Sequence, residues 1–214
     1  MTDARGSGPL LGAPHLQAII LTLVAGIADA VGYITMGGVF AANMTGNTVL
    51  AGIAFAQGGW ADGWRHLAPL AAFFAGAMIA RLLSRLTRTS TASLLVEAAI
   101  LAAAGFLPFG TEITVLVVAL AMGVQASAIT HFAGSAVSTV VITSTMARGA
   151  DAVLDRLWPG GEHAPTAITN RRLLALTWAG YLVGAVVGAL LVPVMPYPLL
   201  VPAALLIVVL FIRA

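Results

Sequence analysis

The sequence predicts an all-α membrane protein of six transmembrane helices plus two short broken or re-entrant segments, built as two inverted repeats. Three observations predict this. Of the 214 residues, 60% are hydrophobic and 8% charged, against roughly 45–50% and about 25% in a soluble domain. The apolar residues fall into eight segments, near 16–36, 39–57, 66–86, 92–108, 112–132, 135–147, 171–192 and 197–212. Six are plausible spans, whereas the second and sixth are short or interrupted by polar residues and glycine. Finally, the segments repeat in order, and the arginines favour one way of threading them.

The repeat is read from spacing. Gly26, Ile27 and Gly37 match Gly123, Val124 and Gly134 at an offset of 97, and Thr45-Gly46-Asn47 falls near Thr143-Ser144-Thr145 one residue further on. Ala72, Gly76 and Ala80 match Gly180, Gly184 and Gly188 at 108, and residues 94–99 match 199–204 at 105. The chain therefore divides into a polar leader (1–14), a first membrane repeat (15–108) and a second (109–214), the latter interrupted by a cytoplasmic interfacial segment and loop at 148–170.

Topology follows from arginine, since the chain has no lysine. If all eight segments crossed, Arg81, Arg85 and Arg88 would lie outside. If the second and sixth segments enter and leave on one side, only Arg65 stays outside, which the positive-inside rule prefers. Each half then has three crossings, the second half is inverted relative to the first, and both termini are expected in the cytoplasm. Trp60 and Trp64, beside Arg65, suit an aromatic belt at the outer interface. The first apolar run has spanning length and no cleavage-site pattern, so it is read as a helix and not a removed signal.

Residues 37–56 carry the strongest chemical signal. Asn43, Thr45, Gly46, Asn47 and Thr48 stand together in an apolar segment, where unpaired amides and hydroxyls are costly. Backbone that leaves the helix at membrane depth is tolerated only inside protein or along a wet cavity. Gly46 would let the chain unwind, with Asn43, Thr45 and Asn47 as neutral ligands to a solute. Asp29, about two thirds along the first span, is the natural coupling group, since a carboxylate there costs roughly 2.5–3.5 kcal/mol and needs a partner, a cavity or a proton. Tyr33 and Thr22 share its helical face. Gln125, Thr143 and Thr145 are the second-half counterparts, although no acid stands at the repeat-related Ala126. The glycine and alanine series are read as packing surfaces, and Glu97 as an ion-pair partner of Arg81, Arg85 or Arg88.

Other classes are excluded. Without cysteine there are no disulfides, thiolate metal sites or cysteine nucleophiles. No enzymatic motif is present, the four histidines are scattered, and neither cofactor nor metal is called for. The net charge of +2 reports membrane orientation and not nucleic-acid binding. The expected partners are the lipid bilayer and a small polar solute, and a homodimer fits a chain of this size. A secondary transporter or channel-like permease is thus expected, with its site at the junction of the repeats and coupling to a proton or cation through Asp29. The alternative is a non-transporting scaffold or accessory subunit whose polar motif ties a turn to its neighbours.

The stretch GIADAVGYITMGGVFAANMTGNTVLAG, followed by MGVQASA and a threonine-rich segment, resembles the YoaK-like family of bacterial membrane proteins. The resemblance runs from about Gly26 to Leu191 and implies a multi-pass protein of the bacterial inner membrane. In the second half, Thr143-Ser144 stands where the family pattern has Thr-Gly.

Overall fold

A computed structural model describes residues 13–106, 111–129 and 171–212. The sixth predicted segment with Thr143 and Thr145, His131 and the interfacial stretch lie outside the described residues. Those described form seven α-helices: α1 (Ala13–Thr35), α2 (Met44–Ala56), α3 (Trp60–Thr87), α4 (Thr91–Phe106), α5 (Thr111–Ile129), α6 (Arg171–Leu191) and α7 (Leu200–Phe211). Each answers to a predicted apolar segment. Among the described residues, α1, α3 and α5 are long and apolar enough to cross a membrane, while α2, α4 and α7 and the described apolar part of α6 are shorter.

Three contacts define the two ends of the bundle. At one end, a side chain at Gly37, just past α1, would meet Arg65 of α3, and Arg65 lies 3.7 Å from Glu112 at the start of α5. At the other end, the Gln17 amide of α1 donates to the Ile212 carbonyl after α7, at 2.9 Å. Residues 36–56 therefore leave α1 and return to the same end of the bundle. The reversal uses Gly37 and Gly38 at φ 74° and 76°, a left-handed backbone that glycine adopts without a Cβ clash. With 13 residues, α2 is about 20 Å long, short of the roughly 30 Å of a hydrocarbon core. It packs back along α3, where the Phe55 ring fills the space beside Gly63 and meets Trp60 and Trp64 at centroid distances of 5.4 and 5.9 Å.

Two parallel helix pairs are the closest-packed parts of the bundle, α1 with α6 and α3 with α5. A Cβ at Gly26 would collide with the Tyr181 carbonyl of α6, as one at Gly123 would with the Phe73 carbonyl of α3. A Cβ at Gly184 would strike the Leu23 carbonyl of α1, as one at Gly76 would strike Leu120 of α5. Under the offsets of 97 and 108, these are the same two contacts made twice. Absent side chains let the backbones meet, which is how helices associate where lipid removes the hydrophobic driving force. Gly76, Ala80, Gly180, Gly184 and Gly188 are buried as expected, and Ala72 is half-buried.

Four helices, α1, α5, α4 and α7, close a ring in which each touches the next. Leu21, Leu94, Leu101, Met122 and Leu206 fill the apolar core. Glu97 corrects its predicted role. It is wholly buried on α4, and neither carboxyl oxygen meets a hydrogen-bond partner among the described residues. Hydropathy placed it near a helix end, where arginine could reach; the helix instead turns it inward.

Replacing Gly184 with leucine should destabilise the fold by about 1–3 kcal/mol, seen as a lower melting temperature in detergent. Gly52→Ala is the matched control, because a Cβ there meets nothing within 4 Å. It should leave the melt unchanged or raise it, by up to roughly 1 kcal/mol of helix propensity. Equal effects of the two substitutions would contradict the packing role.

Candidate functional site

Asp29 is 2% exposed on α1, and two segments converge on it. Residues 36–43 fold back along α1, coming so close at Gly32 that a Cβ there would lie 3.1 Å from the Val39 carbonyl. The loop thereby brings two backbone N–H groups to one carboxyl oxygen: Ala42 donates to Oδ1 at 2.6 Å and Asn43 at 3.2 Å. From the second half of the chain, the Tyr181 hydroxyl of α6 donates to Oδ2, a reach that the close approach of α6 at Gly26 makes possible.

The turn that supplies those N–H groups is itself pinned. Asn43 caps α2, its Oδ1 accepting from the Gly46 N–H at 3.0 Å, a preferred residue in a preferred role. The fully buried Asn47 uses both ends of its amide on one residue, accepting from the Phe40 N–H at 2.9 Å and donating to the Phe40 carbonyl at 2.8 Å. Phe40 in turn stacks on Tyr33 with centroids 4.8 Å apart. The positive end of α2, begun at the depth of Asp29, faces the carboxyl group. Asp29 thus occupies the position an anionic ligand would take at a helix N-terminus.

The structure unites Asp29, Asn43, Gly46 and Asn47, and separates other expected members. Thr45 is exposed on α2, and Thr48 beside it donates to its own helix at Met44, 2.9 Å away. Buried Gln125 donates instead to the Leu21 carbonyl at 2.9 Å, two turns of α1 away from Asp29. Tyr33 is 47% exposed and turned to Phe40, and the Thr22 hydroxyl returns to the carbonyls of Ala18 and Ile19. Tyr181 is the functional partner that sequence reasoning missed. A signal for it existed: at the offsets of 97 and 108, Asp29 and Tyr181 correspond to Ala126 and Phe73, so the matching contact between α5 and α3 lacks both the acid and the hydroxyl.

Nearer the end of the bundle, a cavity of about 680 Å³ is lined by Thr35, Met36, Gly37, Arg65, Thr111 and Glu112 among others. Arg65 bridges Asp62 at 3.1 Å and Glu112 at 3.7 Å. With these side chains 41–79% exposed, such pairs contribute only about 0–1 kcal/mol. They set the charge of this mouth more than the stability of the fold.

Comparison with known proteins agrees with a membrane fold. The family described as "Protein of unknown function (DUF1275)" matches residues 17–212. The UPF0700 transmembrane protein YoaK of Bacillus subtilis (strain 168) is 32% identical over 185 residues, covering 81% of this chain and 82% of the relative. No solved structure matches. With the family spanning nearly all of the helical chain, and a transmembrane relative aligned across four fifths of it, this protein belongs to the DUF1275 family of YoaK-like membrane proteins.

Proposed function

We propose that the protein is a secondary transporter or channel-like permease for a small polar solute, with its path at the junction of two inverted repeats. Six crossings (α1, α3, α4, α5, α6 and α7) and a re-entrant stretch at residues 36–56 make up this reading. The duplicated glycine contacts support the repeat, and the return of residues 36–56 to the end they left supports re-entry. The Gln17–Ile212 contact favours termini on one side, and the arginine distribution favours that side being the cytoplasm.

The observation that carries the proposal is the position of Asp29. One buried carboxylate holds the first half through the loop N–H groups and the second half through Tyr181. A proton or cation arriving there would weaken both links together, and so would change the fit between the halves. Asn43, Gly46 and Asn47 then serve by holding the loop, and Thr45, exposed beside Thr48, is the member of the motif left to meet a solute. The scaffold reading has its own support, since the hydrogen bonds of Asp29 and Asn47 are made within the chain.

Uptake into proteoliposomes across a panel of small polar metabolites separates the two. A permease should accumulate at least one solute above empty vesicles, and Asp29→Asn should remove the dependence on pH or on a cation while the protein still folds. Tyr181→Phe should shift that dependence without abolishing uptake. A scaffold would show no uptake under any gradient. Asn47→Ala should lower the melting temperature on either reading, by about 1–3 kcal/mol for stranding the Phe40 backbone groups.

Topology can be tested separately, because the chain contains no cysteine. Single cysteines at Thr89 and at Gly58 should be labelled from opposite faces of the membrane, Thr89 from the cytoplasm. Labelling of both from one face would rule out the proposed threading.

A further inference from the structure

A second set of buried polar groups lies in the ring of α1, α5, α4 and α7, away from Asp29. Ser93 and Glu97 stand one turn apart on the buried face of α4, and Gln125 is buried on α5. Ser93 Oγ, Glu97 Oε1 and Oε2, and Gln125 Oε1 find no hydrogen-bond partner among the described residues. Helix register brings these groups to one level. A side chain at Gly105 of α4 would meet Leu199 and Leu200 at the start of α7, so moving down both antiparallel helices sets Glu97 level with Ile207. The Gln17–Ile212 contact then aligns Ile207 with Thr22 of α1, next to Leu21, the residue whose carbonyl receives the Gln125 amide.

Buried oxygens without donors are costly, the more so when one group is a carboxyl. Carboxyl, hydroxyl and amide oxygens are the ligands of hard cations. A single carboxylate at this depth is neutralised by one positive charge, whereas a divalent ion would leave an excess charge buried. We infer that this ring encloses a binding site for an alkali-metal cation, with Glu97 as its charged ligand and Ser93 and Gln125 as neutral ones. The site is separate from Asp29 and does not depend on the protein being a permease.

The probe is sodium alone, with the full-length protein in detergent. Replacing choline chloride by sodium chloride at constant ionic strength should raise the melting temperature saturably, as expected when an ion binds only the folded state. Glu97→Gln should abolish that rise. Should Glu97→Gln fail to fold, Ser93→Ala should move the half-saturating sodium concentration several-fold higher. Identical melts in sodium and choline would overturn the inference, as water or a neutral acid would then suffice to fill the ring. So would a sodium response undiminished in Glu97→Gln, a half-saturation unmoved in Ser93→Ala, or a response lost in Asp29→Asn and kept in Glu97→Gln.

Discussion

The fold depends on how Asp29 is accommodated. A carboxylate at membrane depth costs roughly 2.5–3.5 kcal/mol, and a hydrogen bond to a charged group returns about 1.5–3 kcal/mol. The N–H groups of Ala42 and Asn43 with the Tyr181 hydroxyl therefore suffice to offset it, and fewer would leave little margin. The dependence runs both ways. Without Asp29, the loop N–H groups of Ala42 and Asn43 would lose their acceptor; without the loop, the carboxylate would lack all but the tyrosine. Residues 36–43 owe their course to this exchange together with the reversal at Gly37 and Gly38.

Asn47 acts one step out from that exchange. By pairing with both backbone groups of Phe40, it takes the part that an adjacent strand would play, and so keeps an extended segment satisfied inside a helical protein. Asn43 does the same for the first turn of α2. Polar residues in an apolar segment were legible as a departure from helix, but the departure lies at residues 36–43; Gly46, expected to unwind the chain, sits in the first turn of α2 capped by Asn43. Less legible was the use to which the amides are put, because a side chain that completes a turn and one that binds a solute look alike in sequence. Geometry distinguishes them: both ends of the Asn47 amide face backbone.

Other differences between expectation and structure have similar physical causes. Hydropathy started the third segment near residue 66, yet α3 begins at Trp60, since its first turns carry Asp62 and Arg65 on a surface that tolerates charge. Conversely, it started the second segment near residue 39, whereas α2 begins at Met44; apolar character reports depth in the membrane, not helix. The glycine series was readable because small residues at helical spacing have few other uses in a membrane protein. Glu97 was misjudged because its distance in sequence from the arginines says nothing of which face of α4 it occupies.

The matching glycine contacts let the pairs α1–α6 and α3–α5 pack alike while differing chemically. Gly26 against Tyr181 and Gly123 against Phe73 involve only absent side chains and backbone, so the residues around them are free to diverge. At one contact stand Asp29 and Tyr181; at the corresponding positions of the other, Ala126 and Phe73. The acid and its hydroxyl are present together or missing together, although they are far apart in the chain. Each is costlier alone at that depth: a buried carboxylate without the phenol loses one of its three donors, and a buried phenol without the carboxylate loses its acceptor. The pair thus stands at one of two matching helix contacts, α1 with α6, and is absent from the other, α3 with α5, although both pack through glycine.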